Sequence, residues 1–331
     1  MDIKALTTLL DPAILFFFLG IFAALVRSNL EIPAPIAKFL SLYLLMAIGI
    51  KGGAALSVSG IHMHMLAGLG IALFMAFLVP LYTFPVLRHK LDGFNAAAIA
   101  ATYGSVSAVT FIAAGQFLDN HRIEYGGYMA VALVIMEAPA VIMAVALAAM
   151  VRTSEAKQHP AANGRTRNPP FSLKNILHES FTDGAILLLM GSLVIGAVVG
   201  AEGYKTMKPF TGDLFRGLLA FFLLEMGILV ARRIREMKGV GPFLIGFSFL
   251  IPMLNATIAV ALSHLVGLSV GDTLMLAVLA ASASYIVVPA VVRVAIPEAN
   301  PGLYFGMALA LTFPFNVVLG IPLYYRLIQL L

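Results

Sequence analysis

Two short polar runs interrupt long apolar stretches of this sequence, and both carry groups that could bind small ions. The first extends from Thr102 to Thr110 and the second from Ser282 to Pro289. Glycine loosens a helix and proline removes a backbone donor, so each run predicts a break in its helix. At such a break, free N–H groups and the positive end of a helix dipole attract an anion, while carbonyl and hydroxyl oxygens suit Na⁺. Ordinary kinked helices, with hydroxyls bonding between helices, are the alternative.

Because the two runs lie at equivalent places in the chain, we interpret them as one site for a small anion. The candidate ligands are Gly104, Ser105, Ser107 and Thr110 in the first run and Ser282, Ser284 and Tyr285 in the second. Glu137 and Asn316, two polar residues in other apolar stretches, are candidates for coupling an ion to the substrate. A carboxylate at membrane depth could ligate Na⁺, carry a proton or accept a hydrogen bond from a neighbouring helix.

The composition places these runs in a membrane. Of the 331 residues, 61% are apolar and 11% are charged, whereas soluble domains are about 45–50% apolar and about 25% charged. A spanning helix needs about 20 apolar residues. The hydropathy predicts ten spans, at 11–27, 33–52, 63–87, 94–117, 126–151, 181–201, 211–231, 240–265, 271–294 and 302–330. The predicted fold class is therefore an all-α membrane protein with ten transmembrane helices, discontinuous in spans 4 and 9.

Several functional classes are excluded by what the sequence lacks. It contains no Cys, which removes disulfides and thiolate metal sites. It also contains no His-Glu-x-x-His helix and no phosphate-binding G-x-x-x-x-G-K-[ST] loop. The net charge of +5 fits basic cytoplasmic loops better than nucleic-acid binding. We predict a secondary transporter without a cofactor, apart from Na⁺ as a possible coupling ion. An intramembrane enzyme is the alternative from another class, and no nucleophile–base pair among the serines supports it.

A long polar stretch divides the predicted spans into five and five. The chain is predicted to comprise a first repeat over 1–151, a linker over 152–180 and a second repeat over 181–331. We interpret the start, Met1–Leu10, as leading into a retained first helix rather than as a cleavable signal. When loops are assigned alternately to two sides, 14 Lys and Arg fall on the side of the linker and seven on the other. This bias places the linker in the cytoplasm and both termini outside.

Five spans in each half give the two halves opposite orientations, and three pairs of segments match in order. The pairs are Asp11–Leu15 with Asp183–Leu187, Leu44–Ile50 with Phe222–Ile228, and Ala101–Ser107 with Val278–Ser284. The sequence therefore predicts an inverted repeat, in which broken helices face the substrate.

Over nearly its whole length the chain resembles the sodium-dependent bicarbonate transporter family, best known from cyanobacteria. The matching motifs are Gly104-x-Val-Ser107 with Thr110, Met136-Glu-Ala-Pro139, Asp213–Leu219, and Ala280–Pro289 continued by Arg293–Pro301. The resemblance implies Na⁺-coupled bicarbonate uptake in a bacterial inner membrane, with the anion bound where spans 4 and 9 cross. It implies a core domain of spans 3–5 and 8–10 and a gate domain of spans 1, 2, 6 and 7 at a homotrimer interface. It also implies a PII-like regulator on the cytoplasmic face.

The chain departs from the cyanobacterial pattern within the second run. Tyr285 replaces an Asp that follows the serines, and Val287-Val-Pro-Ala290 replaces Ser-Gly-Pro-Pro. The change removes a carboxylate, which is a natural ligand for a hard cation, although a phenol can still donate to an anion. Glu137 could restore the lost negative charge and would also permit proton coupling. The alternative function is therefore a proton-coupled or antiporting carrier of a small carboxylate or cation on the same fold.

Overall fold

The computed structural model of the chain describes residues 11–60, 62–158, 183–237 and 240–331. Within these ranges all regular secondary structure is helical, and there is no strand. The helices are α1 (Pro12–Leu25), α2 (Ala34–Ser59), α3 (Met63–Arg88), α4 (Gly93–Gly104), α5 (Ala108–Asn120), α6 (Met129–Gln158), α7 (Gly184–Lys208), α8 (Phe215–Glu236), α9 (Pro242–Leu265), α10 (Val270–Ala281), α11 (Val287–Ala295) and α12 (Pro301–Leu330). A π-helical turn, Pro209–Asp213, joins α7 to α8.

The surface of these helices is suited to lipid. Seven helical stretches in the described residues are long and apolar enough to cross a membrane. Large apolar side chains are exposed along α1 and α7, among them Phe22 at 60% and Val198 at 81%. Exposing this surface to water would cost free energy, because the transfer of apolar surface out of water is favourable. The prediction of an all-α, multi-pass membrane protein is confirmed at this level.

Spans 4 and 9 are each broken near the middle. The first break separates α4 from α5 at residues 105–107, and the second separates α10 from α11 at residues 282–286. Gly104 allows the first break to lie close to α3, because a Cβ at this position would overlap the ring of Pro80. Pro289 lies in the first turn of α11, where its missing N–H leaves no helical hydrogen bond unmade.

Several other helices continue beyond the ends of the predicted spans, among them α7, which ends at Lys208 and not at 201, and α8, which ends at Glu236 and not at 231. Helix α2 continues to Ser59 and α6 continues to Gln158, so the first residues of the predicted linker are helical. Polar residues near the end of a helix face water at the membrane boundary and therefore extend a helix beyond its apolar part. The remainder of the linker, from 159 to 180, lies outside the described residues.

The helices pack in two sets of contacts. In the first, α2 lies along α7 and α1 lies along α8. Glycines permit both pairs to approach closely: a Cβ at Gly53 would overlap the Leu193 carbonyl oxygen, and one at Gly227 would overlap that of Phe17. Small residues at such contacts are typical of packed membrane helices.

In the second set, α4 lies against α3 and α6, and α10 lies against α9. Every residue of α4 from Ala96 to Gly104 is buried, as is every residue of α10 from Gly271 to Ala281. The two broken spans therefore have their first halves enclosed by protein and not by lipid.

The glycine contacts predict a sharp difference between two positions of α8. Gly227→Ala should lower the free energy of unfolding by about 1–3 kcal/mol, because its Cβ would overlap the backbone of α1. Gly217→Ala, where a Cβ would meet no atom, should be neutral or stabilising by up to about 1 kcal/mol through helix propensity. Thermal unfolding of the detergent-solubilised protein measures both. Equal midpoints for the two variants would contradict the close α1–α8 contact.

Candidate functional site

The two helix breaks lie against each other at the centre of the protein. The Ser107 N–H donates to Ser282 Oγ at 2.9 Å, across 175 residues of sequence. In the opposite direction, the Ser284 N–H donates to the Thr102 carbonyl oxygen at 3.0 Å. The second break thus accepts a hydrogen bond from a backbone donor of the first, and the last turn of α4 accepts one from a backbone donor of the second. Irregular backbone at membrane depth must be satisfied within the protein in this way. We call this region, Ser105–Ser107 with Ser282–Ile286, the crossing.

Two helices begin at the crossing and direct their positive ends toward it. Ser107 is the N-cap of α5, and its Oγ accepts from the Thr110 N–H at 3.2 Å. Ser284 Oγ accepts from the Val288 N–H at 3.3 Å in the first turn of α11. A helix N-terminus has four N–H groups without helical partners, and the dipole adds a partial positive charge there. The side chains of Ser107 and Ser284 therefore order the first turns of α5 and α11, whose N–H groups are the donors that face the crossing.

Three hydroxyls at or beside the crossing are buried without a hydrogen-bond partner among the described residues. They belong to Ser105, Thr110 and Tyr285, whose exposed fractions are 1%, 0% and 7%, and the Tyr285 hydroxyl lies close to the side chain of Ser107. A buried polar group without a partner costs about 1–3 kcal/mol. Such groups can be satisfied by a ligand, and a small anion that accepts several hydrogen bonds has the chemistry to do so.

Tyr285 connects the crossing to α1 through a series of aromatic contacts. Its ring packs edge-on against Phe313 of α12 with the centroids 5.7 Å apart, and Phe313 packs edge-on against Phe17 of α1 at 5.8 Å. Phe17 and Phe313 were not predicted as site residues, because nothing in an apolar sequence distinguishes these rings from its other phenylalanines. The contact joins a helix of the first packing set to the polar centre of the second.

The two residues suggested for ion coupling lie in different environments. Glu137 of α6 is 7% exposed, and its Oε2 has no hydrogen-bond partner within the described residues. Asp183, at the start of α7, is close enough to interact with it electrostatically. Asn316 is already engaged, since its side-chain amide donates to the Ala281 carbonyl at 2.8 Å and its Oδ1 accepts from Tyr324 at 2.8 Å. In this conformation Asn316 thus caps the end of α10, whereas Glu137 keeps a free acceptor.

A second group of hydroxyls holds the helices around the crossing together. The Tyr103 hydroxyl oxygen of α4 lies 2.6 Å from Thr312 Oγ1, and it donates to Ser248 Oγ of α9 at 3.2 Å. Thr312 of α12 also donates to the Ser248 carbonyl at 2.9 Å. Ser248 was missed from the sequence, although it is a lone hydroxyl among phenylalanines and leucines, and that contrast was the available signal. Because all three side chains are satisfied, we assign them to positioning rather than to binding.

The chemistry available at the crossing is binding by neutral donors. The buried part of the described chain contains no Lys or Arg, and no group of three His, Cys, Asp or Glu could hold a metal ion there. Backbone N–H groups, helix dipoles and hydroxyls can hold an anion reversibly without a formal positive charge. Two broken helices crossing in a multi-pass helical protein are characteristic of membrane transporters.

Comparison with known families assigns the chain more narrowly. The model of the Na⁺-dependent bicarbonate transporter superfamily matches residues 12–329. The chain belongs to this superfamily, which confirms the resemblance noted from its motifs. A search of curated proteins gives no significant match. Since the superfamily consists of transporters, the chain is a transporter and not an enzyme.

Stability should separate the hydroxyls that hold the crossing together from those that are free. Ser282→Ala removes the acceptor of the Ser107 N–H and should cost about 1–3 kcal/mol, because a buried donor is left unsatisfied. Thr110→Val, which replaces a hydroxyl without a partner by a methyl of similar size, should cost close to nothing. Chemical or thermal unfolding of the two variants measures the difference. A larger loss for Thr110→Val would show that its hydroxyl is bonded within the protein.

Proposed function

We propose that the chain is a secondary active transporter that takes up bicarbonate together with Na⁺ and binds the anion at the crossing. The proposal rests on one observation above all: buried hydroxyls without partners lie beside the N-termini of α5 and α11. Ser105, Ser107, Thr110 and Ser284 would contribute donors, together with the Tyr285 phenol. Gly104 and Ser282 would keep the two breaks in register. Membership in the superfamily supports bicarbonate as the substrate.

A ten-span, five-plus-five arrangement is the topology that we infer from the helices. Two helices, α7 and α8, lie within one continuous stretch, Gly184–Ile234, which at about 1.5 Å per residue is long enough for two crossings. The short apolar helix α1 supplies a further span, and α10 with α11 supplies another. Counted in this way, the helices match the ten spans expected from the hydropathy.

Contacts between glycine and backbone support the inverted repeat. Gly227 of α8 lies against Phe17 and Ile21 of α1, and Gly49 of α2 lies against Leu189 and Leu193 of α7. The residues of α1 and α7 in these contacts are 172 positions apart, which is also the spacing of Asp11 and Asp183. Asp11 and Asp183 cap their helices in the same way, each accepting from the N–H two residues later. Equivalent residues of the two halves thus make equivalent contacts.

We propose that the two packing sets are the gate and core domains that alternating access requires. On this proposal α1, α2, α7 and α8 form the gate domain, and the other helices form the core that carries the substrate. Two clefts separate the sets at the end of α5 that includes Asn120. At the opposite end, Arg233 of α8 lies over the ring of Phe305 of α12 at 4.8 Å. We infer a state open to the outside, with both termini outside and the protein in a bacterial inner membrane.

The proposed assembly follows from the superfamily and not from contacts in a single chain. We expect a homotrimer with the gate domains at its interface. A PII-like regulator would dock on the cytoplasmic face, where the linker that would meet it falls mostly outside the described residues. Both are proposals that gel filtration with light scattering and a binding assay would test.

The choice of coupling ion depends on Glu137. Because Tyr285 supplies no carboxylate, we propose Glu137 as the Na⁺ ligand: its Oε2 is free, as is that of Glu225, and Glu137 alone of the two lies in a matched motif, Met136–Pro139. The same free acceptor favours the second candidate, a proton-coupled or antiporting carrier of a small carboxylate or cation. The two candidates share the crossing as their anion site and differ in the ion that Glu137 holds.

Uptake of labelled bicarbonate into proteoliposomes tests the proposed function. An inward Na⁺ gradient should drive accumulation above the level seen with K⁺, at a pH high enough to limit CO₂ leakage. Ser107→Ala combined with Ser284→Ala should reduce uptake to background, because two of the hydroxyls that we propose as donors to the anion are lost and the first turns of α5 and α11 lose the acceptors that order them. Gel filtration of the double variant serves as the folding control. Undiminished uptake by a folded double variant would refute the site, and absence of Na⁺-driven uptake by the unaltered protein would refute the function.

Glu137→Gln separates the two candidate functions. If Glu137 ligates Na⁺, the variant should need about tenfold more Na⁺ for half-maximal uptake, since a charged ligand becomes neutral. The matched control is Glu225→Gln, in which the other buried glutamate of the described membrane helices is neutralised. Uptake by the unaltered protein that follows a pH gradient and ignores Na⁺ would instead establish proton coupling. An unchanged Na⁺ requirement in Glu137→Gln would remove Glu137 from the ion site.

A further inference from the structure

A cleft away from the crossing carries charged groups that the proposed mechanism does not use. It has a volume of about 490 Å³ and lies where α2, α5 and the turn between α7 and α8 meet. On α5 its lining begins at Ile112, more than one helical turn beyond Ser107. None of its lining residues belongs to the crossing. The cleft is therefore a separate compartment between the gate and core sets of helices.

Positive charge exceeds negative charge in this cleft. The lining includes three cationic residues, Lys51, Lys208 and Arg216, and two anionic ones, Asp119 and Asp213. Lys51 is held in place, since its ammonium group pairs with Asp119 at 2.7 Å and lies 5.6 Å from the centre of the Tyr125 ring. Because Lys51 and Asp119 neutralise each other, the net positive charge of the cleft comes from its other wall, where Lys208 and Arg216 outnumber Asp213.

That wall carries two cations free to engage a ligand. Lys208 and Arg216 are both exposed and make no ion pair within the described part of the chain, where three pairs are found. Arg216 belongs to the Asp213–Leu219 run, one of the motifs matched in the sequence. The structure places Asp213, Phe215 and Arg216 of this run in the cleft.

We propose that this cleft is an outer capture site for a small oxyanion, in which Lys208 and Arg216 concentrate the anion before it reaches the crossing. That the anion is bicarbonate rests on the proposed function. An excess of one sign of charge between low-dielectric walls focuses the electric field and raises the local concentration of a counter-ion. The crossing itself has no cationic side chain, so the attraction over distance comes from the cleft. Neutral donors then hold the anion at the crossing.

The absence of cysteine from the sequence permits a direct measurement of the potential in the cleft. Gly212→Cys places one thiol among the lining residues, and its Cβ would contact Lys208 Cγ at 3.2 Å. The protein is reconstituted in vesicles of neutral phosphatidylcholine and reacted with an anionic sulfonate or a cationic trimethylammonium methanethiosulfonate. The ratio of the two rates, divided by the ratio for a free thiol, reports the local potential. We expect the anionic reagent to be favoured.

Substitution of the two free cations should abolish that preference. In the Gly212→Cys background, Lys208→Gln with Arg216→Gln should lower the rate ratio about tenfold, because two nearby charges act on both reagents. The matched control is Lys205→Gln on the same helix, whose ammonium is exposed and paired with Glu202. It should leave the ratio within about twofold. An equal effect of the two substitutions, or no effect of either, would overturn the capture site.

Protection of the thiol from labelling tests which anion occupies the cleft. At constant ionic strength, bicarbonate should slow labelling by the anionic reagent more than chloride does, and the Lys208→Gln, Arg216→Gln variant should lose this protection. If phosphatidylglycerol in the vesicles slows labelling by the anionic reagent and bicarbonate does not, the cleft binds a lipid headgroup and the proposal fails. Labelling requires no transport. A normal rate ratio with no bicarbonate uptake would therefore refute the proposed function alone.

Discussion

The need to satisfy backbone polar groups inside an apolar medium governs the centre of this protein. A break in a membrane helix leaves N–H and C=O groups that lipid cannot accommodate. Here two breaks solve the problem jointly, because Ser107 donates to Ser282 and Ser284 donates to Thr102. The arrangement requires both breaks to be enclosed by protein, and it explains why α4 and α10 are buried along nearly their whole length. It also explains why glycine at 104 faces a proline ring so closely.

On our proposals, the crossing and the cleft would divide the handling of an anion between two kinds of interaction. Formal charges attract an anion over several ångströms, but a desolvated charge binds it tightly. Tight binding is a disadvantage in a carrier, because a carrier must also release its cargo. The cleft holds its cations at the exposed surface, where water and salt moderate them. The crossing would use neutral hydroxyls and N–H groups in a buried environment, where geometry would decide which anion fits. Rapid collection and reversible binding are thus separated in space.

The sequence predicted the breaks well because their causes are local. Gly104, Pro289 and the surrounding serines are residue types that weaken or cap helices wherever they occur, and an apolar background makes them visible. The partners across the crossing could not be predicted, since they depend on how distant helices pack. The same limit applies to Phe17 and Phe313, which resemble every other ring in an apolar span. For Asn316 the residue type was recognised, but its amide is engaged with Ala281, a contact visible only in three dimensions.

The two sides of the crossing are far apart in the sequence, and this separation determines when the crossing can form during synthesis. The two partners of its first hydrogen bond are 175 residues apart, so synthesis of α10 must be complete before the bond can form. Until then, the helices that precede α7 contain an interruption whose N–H at Ser107 lacks its final acceptor. Water or the insertion machinery must occupy that position in the meantime. A chain truncated before Ser282 would therefore leave the first break without the acceptor that the complete protein supplies.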